Sequence, residues 1–236
     1  MCCRYLILRA HLKEMLARLG VRELAEQASR YNIAPGSEIP VVRASSGTGL
    51  CELALSRWGL VPAWTKADAT GVGLVNARAE SLAEKPSFRD AFRARRCLVP
   101  ASGYYEWKIA GKARQPWLFQ LRGERPFFLA GLWESWTGPE GTAHETCAVI
   151  TTKSNELMQP IHHRMPAILP VDAAELWLAP TRQPEELAAN LLRVFPAEAM
   201  IARPVSTRVN SVTHDDEGCL APAEPSGHEQ LAWDLP

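Results

Sequence analysis

The chain opens Met1-Cys2-Cys3-Arg4-Tyr5. Cys is a small residue, so removal of Met1 is expected, and it would leave Cys2 with a free α-amine and a thiol two carbons apart. An α-amine titrates near pH 7.7–8.0, so a useful fraction is neutral at physiological pH. A neutral amine condenses with an aldehyde to give a Schiff base. The neighbouring thiol can then close on the same carbon to give a five-membered thiazolidine. An internal cysteine cannot do this, because its nitrogen is an amide. Two plainer readings fit the same residues: a buried cysteine pair, or Cys2 as an ordinary thiol nucleophile.

Three further segments carry groups suited to such chemistry. Leu74-Val75-Asn76-Ala77-Arg78 places an amide and a guanidinium two residues apart. On an extended chain they share a face, so both can reach one ligand; a turn Asn beside a surface Arg is the alternative. Gly103-Tyr104-Tyr105-Glu106-Trp107-Lys108 surrounds one carboxylate with aromatics. That setting raises a Glu pKa and suits Glu106 to proton transfer near neutrality, unless it pairs with Lys108 at a strand edge. Ile161-His162-His163-Arg164-Met165-Pro166 crowds two imidazoles and a guanidinium at a turn. It offers a proton shuttle and a phosphate contact. Adjacent His side chains diverge, so the pair is a poor metal site.

The elements that must position these groups read as short strands with a few helices. His11 to Ala28 carries Leu12, Met15, Leu16, Leu19 and Leu24 at helical spacing. Ala173–Leu178 and Glu185–Leu192 are shorter helices. Tyr31-Asn32-Ile33-Ala34-Pro35-Gly36 reads as a loop. Strands are predicted at Ile39–Val42, Leu53–Trp58, Val72–Asn76, Arg96–Pro100, Tyr104–Lys108, Trp117–Leu121, Phe127–Trp133 and Thr146–Thr151. Helix and strand do not alternate regularly, which disfavours a doubly wound parallel sheet. The pattern predicts one α+β domain over residues 1–215, a curved, mainly antiparallel, barrel-like sheet with flanking helices. Residues 216–236 read as an acidic, Pro-containing tail.

Composition narrows the function classes. Hydrophobic residues make up 47% of 236 positions and charged residues 22%, as in globular proteins with a sizeable core. No apolar run reaches the roughly 18 residues of a membrane span, and no stretch suits a secretory signal, so a cytoplasmic location without membrane contact is expected. Six cysteines include no Cys-x-x-Cys pair, so neither a zinc site nor another metal site is expected. There is no Walker loop, HExxH or dinucleotide fingerprint, and no cofactor is expected. The net charge is zero, yet residues 88–125 hold nine Lys and Arg, namely Arg89, Arg93, Arg95, Arg96, Lys108, Lys112, Arg114, Arg122 and Arg125. That run is compatible with a local basic groove or with a solvated surface.

Six motifs now stand in one order: Met-Cys-x-Arg-Tyr at 1–5, Tyr-Asn-Ile-Ala-Pro at 31–35, Trp-Gly-Leu-Val-Pro-x-Trp at 58–64, Asn-Ala-Arg-x-Glu at 76–80, Tyr-Tyr-Glu-Trp at 104–107 and His-x-Arg-Met-Pro at 162–166. In this the chain resembles the SOS response-associated peptidase (SRAP) family, also described as abasic-site processing proteins. The resemblance implies a barrel-like α+β fold and a stable covalent crosslink to abasic sites in single-stranded DNA. It implies weak abasic-site lyase activity, self-removal of Met1 and action as a monomer, in the nucleoid after DNA damage. By it, Cys2 is the nucleophile, Asn76 positions the N-terminus and the opened sugar, Glu106 is the acid/base and His162 the catalytic imidazole. Arg4, Arg78 and Arg164 are phosphate contacts, and Trp64 stacks on bases. The chain departs from the family in carrying Cys3 where Gly is usual, and Thr65 where some members have a second aromatic. A Cys2-dependent peptidase and a noncatalytic single-stranded DNA-binding module are the competing expectations.

Overall fold

A computed structural model describes residues 3–22, 27–45, 50–65, 71–111, 113–138, 141–179 and 184–224. Its strands in chain order are β1 (Tyr5–Ile7), β2 (Arg30–Ile33), β3 (Glu38–Ala44), β4 (Cys51–Trp58), β5 (Asn76–Arg78), β6 (Arg96–Ala101), β7 (Gly103–Ala110), β8 (Ala113–Leu121), β9 (Phe127–Thr137), β10 (Ala143–Lys153), β11 (Arg164–Pro166), β12 (Ile168–Leu169) and β13 (Met200–Pro204). The α-helices are α1 (Arg9–Arg18), α2 (Arg89–Ala94), α3 (Ala174–Leu178) and α4 (Pro184–Leu191).

Strands β10, β4, β3, β6 and β9 pair in that order, and β9 pairs back to β10, closing a five-stranded barrel. Every step round the barrel is antiparallel except β4 beside β10. Short strands extend it: β5 and β11 flank the end of β10, where Thr151 pairs with Arg78 on one side and Pro166 on the other. The second sheet is open and antiparallel, in the order β13-β8-β7-β1-β2. The fold is therefore a single α+β domain, mainly antiparallel and barrel-like, with few helices.

Apolar strand residues fill the space between the sheets. Trp58 and Tyr5 are fully buried and meet edge to face, with ring centroids 5.5 Å apart. Cys97 and Cys147 are buried core residues, and burial pushes both thiols far above their ordinary range. Gly59 follows β4 with φ at +139°, and its N–H donates to Cys147 O at 2.8 Å. A Cβ there would fall 1.5 Å from Val72 O, so only glycine lets the two loops meet.

Several elements differ from the sequence expectation. Helix α1 buries Leu12, Met15 and Leu16 as predicted but stops at Arg18. Gly20 turns at φ +64°, and Val21 N–H bonds back to Leu16 O, a left-handed ending that glycine favours. Residues 23–26, within the predicted helix, lie outside the described residues. The strand predicted at Val72–Asn76 begins at Asn76 instead, and Leu74 makes only an isolated bridge to Leu60. Tyr31-Asn32-Ile33, read as loop, belongs to β2. Asp216 to Pro222, within the stretch read as tail, packs on the open sheet: Cys219 is buried, Pro222 bridges Val205, and Asp216 pairs with Arg208.

Candidate active-site cleft

Strand β1 pairs with β7 so that Tyr5 faces Tyr104 and Tyr105 N–H donates to Arg4 O at 3.0 Å. Continuing that register places Cys3 opposite Glu106. Strand β1 begins at Tyr5 while β7 runs on to Ala110, and beside this stretch lies a cleft of about 540 Å³. Its described walls are Cys3, Arg4, Glu106, Trp107, Ile109, Arg114, His162 and Asn210. Met1 and Cys2 lie outside the described residues.

Glu106 is 5% exposed. Burial raises its carboxyl above the ordinary range, opposed by a hydrogen bond from the Trp107 backbone and by His163. A carboxyl so placed holds a proton closer to neutrality than an exposed one. Burial also raises the Cys3 thiol, Glu106 adds to the rise, and Arg4 opposes it. His162 arrives from the turn after β10, where its N–H donates to Met158 O at 3.0 Å. Arg164 N–H donates to His162 Nδ1 at 3.0 Å, which leaves Nε2 to carry the proton of a neutral ring. The alternative tautomer would send Nδ1–H to Arg164 O at 3.1 Å. Burial lowers the His162 pKa, favouring the neutral form. His163 stacks on His162 with centroids 4.5 Å apart and is itself exposed; the charge of His162 is the main influence lowering its pKa.

The sequence-predicted groups thus divide. Arg4, Glu106 and His162 all line one cleft. Asn76 and Arg78 stand on β5, Arg164 begins β11, and Trp64 lies in a loop, 62% exposed; none of the four is among the cleft's lining side chains. Arg164 is 8% exposed. Its Nη1 and Nη2 donate to Glu80 Oε1 at 2.7 Å and Oε2 at 3.0 Å, and Nη2 also reaches Thr151 Oγ1 at 3.2 Å. Arg4 Nη1 donates to Asn32 Oδ1 at 2.6 Å and to Val209 O at 2.7 Å. Its guanidinium also lies over the Trp107 ring, 5.4 Å from the centroid. Of the three arginines expected to contact phosphate, Arg78 alone is exposed and unengaged among the described residues.

The described residues of the basic run from 88 to 125 go to several places. Arg96 is buried and caps carbonyls of Phe92, Arg93, Trp177 and Ala179. Arg95 pairs with Glu134, Arg89 with Asp90, and Arg122 donates to Glu198 O. Lys112 lies outside the described residues. Among the described residues of this run, only Arg114 lines the cleft.

Asn32, Ile109 and Asn210 escaped sequence reasoning, and Arg114 entered it only as one of the basic run. Asn32 is 2% exposed and donates to Ser211 O at 2.9 Å and His214 O at 2.6 Å while holding Arg4. Its place in the Tyr-Asn-Ile-Ala-Pro motif was the available signal. The alternation of β7 and β8 round the Ala110–Ala113 turn could have set Ile109 opposite Arg114.

Comparison with known proteins agrees with this architecture. Residues 1–212 match the family described as SOS response associated peptidase (SRAP). Abasic site processing protein YoqW of Bacillus subtilis (strain 168) is 43% identical over 183 residues, 77% of this chain and 80% of that protein. Abasic site processing protein HMCES of Gallus gallus is 35% identical over 224 residues, covering 82% of this chain and 66% of that one. A crystal structure of a protein from Bacteroides thetaiotaomicron superposes with a TM-score of 0.82 at 29% identity, covering 94% of this chain and 100% of that chain. With a match that runs through both sheets and the cleft between their elements, the chain belongs to the SOS response associated peptidase (SRAP) family.

Proposed function

We propose that this protein captures abasic sites in single-stranded DNA as a covalent crosslink through Cys2. The observation that carries the reading is the single cleft lined by Cys3, Arg4, Glu106 and His162. Cys2 is joined to Cys3 by one peptide bond, which keeps successive α-carbons about 3.8 Å apart. The names of the relatives, abasic site processing proteins, support the same substrate.

The opened abasic sugar presents its aldehyde to the Cys2 amine, freed by removal of Met1. Amine and aldehyde condense with loss of one water, and Glu106 moves the protons of addition and dehydration. The Cys2 thiol then adds across the C=N bond: sulfur bonds to carbon, its proton passes to nitrogen, and no oxidant is needed. Asn76 positions the amine and the sugar, and His162 assists ring opening and reversal through Nε2. The imine stage also permits β-elimination, so weak strand cleavage accompanies capture, and ring closure suppresses it. Arg78 meets the phosphates directly, while Arg4 and Arg164 contribute charge from their fixed positions. Trp64 offers a ring for base stacking.

The test is intact mass after mixing the full chain with abasic single-stranded DNA under denaturing conditions. The expected product weighs the protein without Met1, plus the DNA, less one water. Retained Met1, or no adduct, overturns the reading. Cys2→Ser is expected to lose the stable product and retain a reducible imine. Cys2-dependent cleavage of an unrelated peptide without any adduct would make the protein a peptidase. Salt-sensitive binding indifferent to the lesion, again without adduct, would make it a noncatalytic binding module.

A further inference from the structure

The cleft is longer than the proposed chemistry requires. Past Cys3, Glu106 and His162 its wall continues over Trp107, Ile109, Arg114 and Asn210. These residues belong to the outer part of the β7–β8 hairpin and to the turn that follows Val209. None of them has a part in the capture of the aldehyde.

The hairpin register explains their arrangement. Ile109 and Arg114 are direct cross-strand partners. Trp107 is two residues from Ile109, so it shares that face. Arg4 aligns with Tyr105 and lies over Trp107, which puts it on the same face. Asn210 Oδ1 accepts from Trp107 Nε1 at 2.6 Å, so the indole is held from its edge and covered by a guanidinium. Next to this fixed floor, Ile109 is 70% exposed. Arg114 is exposed and makes no hydrogen bond or ion pair with any described residue.

The two arginines of the cleft therefore differ in kind. Arg4 spends Nη1 on Asn32 and Val209 and its face on Trp107. Arg114 has its whole fork of donors available. A guanidinium of this sort binds phosphate through two parallel hydrogen bonds. A lone exposed isoleucine is unremarkable by itself. Beside an uncommitted cation, on the lip of a cleft that takes a nucleic-acid strand, it matches the two surfaces of a nucleotide, one anionic and one flat and apolar.

Resting on the function proposed above, we propose that Arg114 and Ile109 form a subsite for the nucleotide next to the lesion. Arg114 holds that nucleotide's phosphate and Ile109 packs against its base, with Trp107 as the fixed floor beneath. Neither contact reads a base edge, so the subsite orients the strand without preference for sequence.

The experiment uses the full chain and single-stranded oligonucleotides with a tetrahydrofuran abasic analogue, which has no aldehyde and reports binding alone. The phosphates around the analogue are replaced one at a time by uncharged methylphosphonate. Wild type is expected to lose about fivefold in affinity at one flanking phosphate. Arg114→Gln is expected to lose about the same on the natural backbone and to become insensitive to that one replacement. Its slope of log affinity against log salt is expected to fall by about 0.7, the value of one single-strand phosphate contact. Arg114→Lys, which keeps the charge, restores the slope. Ile109→Ser is expected to weaken binding about twofold with the slope unchanged. An Arg114→Gln protein with wild-type slope, or one still sensitive to every phosphate that wild type senses, overturns the subsite. Wild-type crosslinking of a true abasic oligonucleotide, run in parallel, separates the two levels. If it fails, the function reading falls; if it succeeds while the Arg114 predictions fail, the subsite alone falls.

Discussion

The closed barrel and the open sheet dispose of their strand edges differently. In the barrel, β9 returns to β10, and the strand ends left over are taken up by β5, β11 and β12. The open sheet keeps its edges and covers them piecemeal. Asp215 Oδ1 accepts from the N–H groups of Tyr31 and Asn32 on the outer edge of β2, and Val205, just after β13, bridges Pro222. One stretch stays uncovered by a described strand, where β1 starts at Tyr5 and β7 continues past it. Unpaired edges invite unwanted pairing, and proteins usually shield them. Here the uncovered stretch borders the cleft. The barrel is thus closed on itself, and the open sheet is the one that borders the cleft.

Damage to the sheet edge is expected to remove chemistry, and damage to the barrel to remove stability. The largest effect is expected from Glu106→Gln, which should slow adduct formation by about 10²- to 10⁴-fold, the range for a lost general acid/base. The same change should not weaken the fold. Burial raises the Glu106 pKa, so the folded state holds a proton that the unfolded chain releases. Its contribution to stability is present below the ordinary carboxylate pKa and is lost as pH rises through the raised value. Urea titrations should therefore place Glu106→Gln level with wild type at acid pH and above it at neutral pH. A parallel fall in rate and stability would erase the contrast.

Gly59→Ala probes the opposite side. Its Cβ would collide with Val72 O at a backbone angle that L-residues avoid, at a cost of about 3 kcal/mol or more. The melting temperature should drop sharply, while the protein that remains folded should form adduct at the wild-type rate. Glu80→Ala tests the seam between barrel and cleft. The pair with Arg164 is half solvent-exposed on the Glu80 side, so a loss of about 1–2 kcal/mol is expected rather than the larger penalty of a fully buried pair. Arg164 holds the Glu80 pKa down. The wild-type advantage should accordingly be full above the ordinary carboxylate pKa and vanish as pH falls through the lowered one. The smallest effect belongs to Arg78→Gln, which should leave melting unchanged and reduce the salt slope of DNA binding by about 0.7.

The long strands were legible because alternation and β-branched or aromatic content act locally. Leu53–Trp58, Phe127–Trp133 and Thr146–Thr151 all lie inside observed strands. The two-to-five-residue strands β1, β2, β11, β12 and β13 were not legible, because their pairing is decided by neighbours far away in sequence. Asn32 reads as a turn residue until Arg4 and the backbone of Ser211 and His214 are brought around it. Charge was the least legible property. A run of arginines is close in sequence, but whether each meets solvent depends on a carboxylate or carbonyl from elsewhere in the chain, as Arg164 depends on Glu80, 84 residues away. Glu106 was singled out by its aromatic surroundings, and the family resemblance chose His162 over His163; both line the cleft. Ile109 was not singled out and Arg114 stood only in the basic run, since it is the turn between their strands that sets them opposite each other.

The bond from Arg4 to Val209 spans 205 positions of chain. The surroundings of Arg4 are thus set by carbonyls and a carboxylate drawn from Val209 to Asp215. A protein cut before Val209 keeps every strand of both sheets and loses that clasp, so the shape of the cleft and the integrity of the sheets are separable.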